Sequence, residues 1–227
     1  MAVKKSGKVV KKRWFNILAP SLLKEAKIGE TYISDPEAMI GKKMTVSLGS
    51  ITGEPQKHNT HINLIIKSFD DGVFKTDLLG WRVLPAAVKK MVRRNRSRID
   101  DSFVIMAKDG QYVRIKPLIV TRTKAQRSAQ TSIRQKVRVE VAKVFSERDF
   151  KIIAGDILGK RFQHSILRSV AKLFPVQIFE IRQLVLIDAE KAKKLNIVRF
   201  VGEKRKESQK KPKQVKKPEE KEKPKEK

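Results

Sequence analysis

The period of the hydrophobic pattern changes once along this chain, near Thr123, and this change constrains the fold more than any other feature. Before it, apolar and polar residues alternate in short runs, which is typical of strands with one buried face. After it, apolar residues recur at helical spacing, so residues 128–148 are predicted to form one long helix. The apolar stripe of this helix consists of Ile133, Val137, Val141 and Val144. Strands followed by helices predict an α+β fold.

Two Asp-Gly pairs between apolar runs predict two β-hairpins. The first joins residues 61–69 to 73–79 through Asp71-Gly72, and the second joins residues 102–108 to 112–123 through Asp109-Gly110. The alternation of the last run changes parity at Pro117, which predicts a bulge or an edge there. Between the hairpins, Pro85 opens a short predicted helix.

The remaining segments complete the predicted order of elements. Residues 29–34 and 43–51 are predicted strands, residues 149–158 and the run from Phe162 to Leu173 are predicted helices, and residues 176–187 are a long final strand. Phe179, Ile181, Val185 and Ile187 are expected on one face of that strand. This order lacks the strict alternation of a parallel α/β sheet. We therefore expect one α+β domain over residues 14–203, with a mostly antiparallel, barrel-like sheet flanked by helices.

Positive charge is concentrated in three segments. The chain has 53 Lys and Arg against 24 Asp and Glu, a formal net charge of +29. Residues 82–148 carry eighteen basic and five acidic side chains, and the two termini carry most of the remaining excess. Such a surface repels itself, and a polyanion is the simplest compensation. The chain is therefore expected to bind a polyanion.

Both termini are predicted to be disordered basic tails. The N-terminal extension, residues 1–13, has six Lys or Arg and no acid. The C-terminal tail, residues 204–227, is rich in Lys, Glu and Pro and has Val215 as its one apolar residue, too little to form a core. The C-terminal tail fits either an electrostatic tether for nucleic acid or a solubility tail.

A basic run without acidic neighbours marks the centre of the chain. Its members are Lys89, Lys90, Arg93, Arg94, Arg96 and Arg98, and no acid occurs from residue 82 to residue 99. Like charges at i,i+4 on a helix repel, by about 0.2–0.5 kcal/mol per pair. A phosphate backbone would convert this repulsion into attraction. The run is interpreted as a phosphate-binding stripe, and the alternative is a solvated charged face.

Two further groups complete the candidate RNA-binding residues. Arg122, Lys124, Arg127, Arg134 and Arg138 lie at the entry to the long helix and along one of its sectors. Lys11, Lys12, Arg13 and Trp14 precede the first strand. The Trp14-Phe15 pair could stack on an unpaired base, but the favoured interpretation is that it anchors the N-terminal extension to the core. Trp81, at the end of an apolar run, is expected in the core.

The sequence favours no catalytic or cofactor chemistry. The chain has no cysteine, which excludes disulfides, thiolate zinc sites and cysteine nucleophiles. His58 and His61 have ligand-like spacing without a third ligand nearby. Gly155 to Arg161 is one residue short of a P-loop and has Arg161 in place of the magnesium-binding hydroxyl. We expect no enzyme activity, no cofactor and no metal site, and no apolar run approaches the ~18 residues of a membrane span.

Four segments, taken in order and spacing, resemble a known family. They are KKRWFNILAPSLLKEAKIGETYIS from Lys11, VKKMVRRNRSRIDDSFVIMAKDGQYVRI from Val88, TRTKAQRSAQTSIRQKVRVEV from Thr121, and IIAGDILGKRFQHSILRSVAKLFPVQIFEIRQLVLI from Ile152. They are similar to the eukaryotic- and archaeal-type small-subunit ribosomal proteins called S-three-a, or eukaryotic-type S-one. The short segment 35–44 and the lysine-rich tail resemble an archaeal member.

The resemblance implies a structural component of the small ribosomal subunit in the cytoplasm. It implies a place on the platform, near the messenger RNA exit, and a barrel-like core. The implied partners are small-subunit ribosomal RNA, neighbouring ribosomal proteins and messenger RNA near the exit, with no membrane. Charge alone leaves three alternatives open: an RNA chaperone or translation factor that binds ribosomes transiently, a duplex-DNA binder, and a metal-dependent nuclease that uses Asp100, Asp101 and Asp109.

Overall fold

The computed structural model describes residues 11–193 and Leu195. The strands are β1 (Arg13–Leu18), β2 (Lys27–Ile33), β3 (Lys43–Ser47), β4 (Thr60–Asp70), β5 (Val73–Val83), β6 (Arg98–Asp100), β7 (Phe103–Met106), β8 (Tyr112–Thr121) and β9 (Val176–Ile187). The helices are α1 (Leu48–Thr52), α2 (Pro85–Met91), α3 (Arg127–Glu147), α4 (Phe150–Leu158), α5 (Arg161–Ala171) and α6 (Ala189–Lys193). The predicted disorder of residues 204–227, and of the extension before Lys11, lies outside the described residues.

The α+β class and the mostly antiparallel sheet are confirmed. The two predicted hairpins are β4–β5 and β7–β8, and the strand order along the main path is β2-β1-β5-β9-β8-β6. Every pairing among the described strands is antiparallel except that of β1 with the first residues of β5. The predicted short helix α2, the long helix α3 and the final strand β9 are also present.

The expected barrel is wrong, because the sheet does not close. β4 pairs with β5 along nearly its whole length, so only the other edge of β5 remains available. That edge pairs with β1 at Val73–Lys75 and with β9 at Gly80–Arg82, which splits the sheet into two branches. Among the described strands, β2, β3, β6 and β7 each have one partner, and none joins the two branches.

Helices α3, α4 and α5 cover one face of the sheet and form the main core with it. Ile133, Val137 and Val141 on α3 are buried against the sheet, as the helical spacing predicts. Their neighbours from the sheet include Ile115 on β8 and Leu184 on β9. Full burial of such a side chain stabilises the fold by about 1.5–3 kcal/mol. This helix-covered face is the inner face of the sheet.

A bulge between β8 and β9 corrects the predicted faces of the last strand. The register shift predicted at Pro117 is present, since Lys116 pairs with Gln183 whereas Pro117 pairs with Ile181. Arg182 is therefore an extra residue on β9, and the alternation restarts after it. As a result Leu184 is buried, and the expectation that Val185 shares a buried face with Ile181 is wrong.

Helix α2 packs on the outer face of the sheet. It begins with Pro85 in the first turn, and Ala87 and Val88 pack against Leu118 and Val120 of β8. Because Ile119, between those two residues, belongs to the inner core, α2 lies on the opposite face from α3. The helix covers one end of the outer face and leaves the neighbouring strands exposed beside it.

Candidate nucleic-acid interface

The predicted basic run forms a ridge on the outer face of the sheet. Lys89 and Lys90 are exposed in the last turn of α2, where positive side chains also interact favourably with the helix dipole. Arg93 and Arg94 are exposed in the loop that follows. Asn95, with a positive φ of 60°, lies in the same loop, and β6 begins three residues later.

One basic cleft lies between α2 and the start of β9. Its cationic lining consists of Lys90, Arg93 and Arg96, and the amides of Asn59 and Gln177 complete the polar wall. The described lining includes no carboxylate. The three cations converge on one open groove, an arrangement that suits an anionic chain rather than a small apolar ligand.

A second basic cleft lies on the other side of α2. Its cations are Arg82, Lys89, Arg98, Lys116 and Arg182, with Gln183 between them. Lys116 of β8, Gln183 of β9 and Arg82 of β5 face one another across three adjacent strands. The cations that line the two clefts form the α2 surface, defined as Arg82, Lys89, Lys90, Arg93, Arg96, Arg98, Lys116 and Arg182; Arg94 is exposed on the ridge but lines neither cleft.

Three members of the α2 surface are not among the candidates that the sequence suggests. Arg82, Lys116 and Arg182 lie on three different strands, outside any basic run. They come together because β9 inserts between β5 and β8, and because the bulge at Arg182 adds a side chain at that point. The sequence carries a signal for Lys116, which together with Arg114 alternates with apolar residues that are buried along β8.

The second cleft carries more positive than negative charge. The pKa of the Lys116 ammonium is lowered, mainly by burial and to a smaller extent by repulsion from Arg114, Arg182 and Arg82. Asp100, which pairs with Arg98 at 2.6 Å, supplies the negative charge at the edge of this cleft. An oxyanion bound here would restore the favourable environment of the lysine. The electrostatics therefore favour occupation by phosphate.

Hydrogen bonds hold the basic loop after α2 against the loop that enters α3. The Ser97 amide donates to the buried Thr121 hydroxyl at 3.0 Å, and the Thr121 amide donates to the Ser97 carbonyl at 3.0 Å. The Ala125 amide donates to the Ser97 hydroxyl at 2.9 Å. Arg96 and Arg98 therefore lie close to exposed Arg122 and Lys124, so two predicted groups form one surface.

Helix α3 contributes fewer available cations than its spacing predicts. Arg127 is exposed and Arg134 is half-buried. Arg138 donates from Nε and Nη2 to the carboxylate of Asp101, both at 2.7 Å, and its guanidinium lies over the ring of Phe103. Arg138 therefore fixes α3 to the loop before β7.

The N-terminal candidates lie at the other end of the sheet. Asn16 of β1 pairs with Val73, whereas Arg82 lies nine residues farther along β5. At ~3.3 Å per residue this separation is about 30 Å. Lys11, Lys12, Arg13 and Trp14 are all exposed there, and Phe15 alone packs inward, on Phe69 and Phe74. The structure thus divides the predicted site into two.

The acidic residues weighed for a nuclease have structural partners. Asp100 pairs with Arg98, Asp101 pairs with Arg138, and Asp109 accepts a hydrogen bond from the Phe150 amide at the start of α4. Within residues 11–193 and Leu195, no three His, Asp or Glu side chains are grouped as metal ligands. No helix in the same residues is long and apolar enough to cross a membrane.

Comparison with known proteins identifies the family. The profile of the Ribosomal S3Ae family matches residues 2–190. The chain belongs to this family. The match confirms the resemblance carried by the four segments, and it covers every residue of both basic clefts.

Individual S3Ae relatives agree with the profile. The small ribosomal subunit protein eS1 of Nanoarchaeum equitans is 31% identical over 181 residues, which cover 80% of this chain and 91% of that protein. The protein of the same name from Halorubrum lacusprofundi is 26% identical over 175 residues, 77% of this chain and 81% of its own length. The one from Methanoculleus marisnigri is 26% identical over 170 residues, 75% and 86% of the two chains. The similarity to these three proteins therefore covers at least 75% of this chain and at least 81% of each relative.

Proposed function

We propose that this protein is a structural constituent of the small ribosomal subunit and that its α2 surface binds the phosphate backbone of small-subunit ribosomal RNA. The S3Ae membership and the names of the relatives support the ribosomal role. The observation that supports the RNA contact is the pair of basic clefts on either side of α2. The proposal involves no catalytic step.

The chemistry of the clefts suits phosphate positioning rather than base reading. Five of the eight members of the α2 surface are arginines, whose planar guanidinium can bind two phosphate oxygens at once. Such contacts fix the orientation of a protein on RNA and carry no sequence information. Arg122, Lys124 and Arg127 would extend the same track toward α3, and Arg134 would flank it.

The position within the subunit is also part of the proposal. The family resemblance supports a place on the platform near the messenger RNA exit, with neighbouring ribosomal proteins on the remaining surface. The helix-covered face carries mixed charges, such as the Lys136–Glu140 and Arg148–Asp156 pairs, which suits contact with proteins or solvent better than contact with RNA.

Charge reversal in one cleft tests the RNA contact. The double variant Arg93→Glu, Arg96→Glu should fold normally but be absent from small subunits in a sucrose gradient. A plot of log affinity for small-subunit RNA against log salt concentration has a negative slope. For the variant this slope should be shallower by about 0.9 for each phosphate that it no longer neutralises. The matched control is Lys143→Glu, Lys151→Glu, which reverses two exposed charges on α3 and α4, across the sheet from α2.

Two outcomes would contradict the proposal. If both double variants are incorporated equally well, the α2 surface is not the RNA contact. If the unmodified protein leaves the subunit in a high-salt wash and is present below one copy per subunit, it is a transient RNA chaperone or translation factor. One salt-resistant copy per subunit is the expected result.

A further inference from the structure

Two large aromatic side chains are exposed together at the far end of the sheet. Trp14 of β1 and Tyr32 of β2 pair directly across the two strands, with ring centroids 5.0 Å apart and planes at 36°. Trp14 is 66% exposed and Tyr32 is 51% exposed, whereas Trp81 is 2% exposed. The two exposed rings together form the aromatic platform.

The core does not need the aromatic platform. Phe15 and Ile17, which alternate with Trp14 along β1, pack on the small cluster around Phe74. Strand alternation places Trp14 and Tyr32 on the opposite face. The interpretation that Trp14 anchors the extension to the core therefore fails for Trp14 and holds for Phe15. Adjacent exposed aromatic rings that contribute little to folding are typical of a binding site.

The charge around the aromatic platform is positive. The ammonium of Lys12 lies 5.9 Å from the centroid of the Tyr32 ring, and Lys11 and Arg13 are exposed beside it. Glu30 lies on the same face, two residues along β2, and is bonded to Lys27. Residues 1–13 contain no acid at all. A ligand with flat rings and negative charge fits both features.

We propose that the aromatic platform stacks on the base of an unpaired RNA strand, while Lys11, Lys12 and Arg13 bind its flanking phosphates. Aromatic faces accept any base, and cations beside them follow the backbone, which is how proteins bind single-stranded RNA. This inference rests on the proposed function and adds a second RNA contact of a different kind. At the ~3.3 Å rise per residue of β5, the platform lies about 30 Å from the α2 surface. One protein molecule would therefore bind two separate RNA segments.

Oligonucleotides with and without bases separate stacking from charge. We would titrate the full chain with an octamer of riboadenylate and with an abasic octamer of equal length and charge. Trp14 is exposed and Trp81 is buried, so stacking should quench the emission of Trp14. The riboadenylate octamer should quench strongly, and the abasic octamer should bind without comparable quenching. A Trp81→Phe variant would leave Trp14 as the one reporter.

Substitutions test the platform independently of fluorescence. Trp14→Ala and Tyr32→Ala should each weaken binding of the riboadenylate octamer by roughly fivefold or more, the size of one stacking interaction. Binding of the abasic octamer should stay unchanged. The control is Leu173→Ala, which truncates an exposed apolar side chain just after α5. If Trp14→Ala binds each octamer with the same affinity as the unmodified protein does, the stacking proposal is overturned.

The two proposals can fail separately. If bases make no difference but Arg93→Glu, Arg96→Glu still abolishes binding of both octamers, the platform proposal fails and the α2 surface stands. If neither octamer binds but small-subunit RNA does, the platform proposal fails and the α2 surface stands; if small-subunit RNA does not bind either, the RNA-binding function itself fails. In assembled subunits, a photo-crosslinker at position 14 should attach to RNA. Attachment to ribosomal RNA or to added messenger RNA identifies the source of the strand, and attachment to a neighbouring protein overturns the proposal.

Discussion

Individual side chains show how a tertiary contact changes the role that a sequence pattern suggests. Helical spacing places Arg138 in one sector with Arg127 and Arg134, and this predicts a phosphate contact. The acceptor that Arg138 meets, Asp101, lies 37 residues earlier in the chain. Spacing along a helix predicts which residues share a sector but not what faces that sector. The guanidinium of Arg138 is thus bonded within the protein, and its predicted contact with RNA stays a prediction.

The Asp101–Arg138 pair makes stability depend on pH. Burial alone would raise the pKa of Asp101, but hydrogen bonds from Arg138 and from the Ser102 amide outweigh it, so the pKa lies below its ordinary 3.8. A lowered folded-state pKa gives stability that is present above the ordinary pKa and is lost as pH falls through the folded pKa. Asp101→Asn should therefore lower the free energy of unfolding at pH 7 by about 1.5–3 kcal/mol.

Urea unfolding at pH 7, 5 and 3 checks this expectation. The difference between Asp101→Asn and the unmodified protein should persist at pH 5 and shrink at pH 3. The control is Asp100→Asn, whose exposed pair with Arg98 should contribute at most about 1 kcal/mol. Equal losses in the two variants, or a difference that is the same at all three pH values, would contradict the assignment.

At the scale of elements, local patterns in the sequence are sufficient to predict hairpins and helices. They do not predict which strands pair across long stretches of the chain. The β4–β5 and β7–β8 hairpins follow from Asp-Gly turns, and α2 follows from Pro85. The order of the strands does not follow, because β9 reaches its place between β5 and β8 only after three helices. Strand β1 is absent from the predicted strands, although Phe15 and Ile17 alternate with exposed residues. The barrel expectation fails for the same reason, since no local pattern shows that β1 and β9 share one edge of β5.

Gly80 makes that shared edge possible. It has a φ of +151°, and a Cβ there would lie 2.1 Å from the carbonyl oxygen of Leu184 on β9. Gly80→Ala should therefore lower the free energy of unfolding by about 2 kcal/mol or more, because it strains the backbone and disrupts the close β5–β9 pairing. Thermal unfolding measures this loss of stability. Gly29→Ala on β2 is the control, because no atom lies within 4 Å of the Cβ position there. A similar loss of stability in Gly29→Ala would show that the close approach of Gly80 to Leu184 is not the cause.

At the scale of the whole molecule, the α2 surface brings together cations from several elements, and their mutual repulsion opposes folding. The basic run from Lys89 to Arg98 is visible in the sequence, whereas Arg82, Lys116 and Arg182 join it only through the sheet. Burial and, after it, repulsion from Arg114, Arg182 and Arg82 lower the pKa of Lys116, so the cations of the second cleft disfavour one another when no anion is bound. The same repulsion becomes attraction when phosphate binds. The free protein and the RNA complex should consequently respond to salt in opposite directions.

Salt therefore provides the test at this scale. Raising ionic strength from about 0.01 M to about 0.1 M shortens the Debye length from roughly 30 Å to roughly 10 Å. The Tm of the free protein should rise, because screening weakens repulsion within the α2 surface, while affinity for small-subunit RNA should fall steeply. Arg93→Glu, Arg96→Glu should show a smaller rise in Tm than Lys143→Glu, Lys151→Glu, although both variants remove the same net charge. A falling Tm of the free protein, or equal rises in the two variants, would mean that repulsion is not concentrated at α2. The expected result would show that charge repulsion in the free protein is concentrated at the α2 surface, which is the proposed RNA contact.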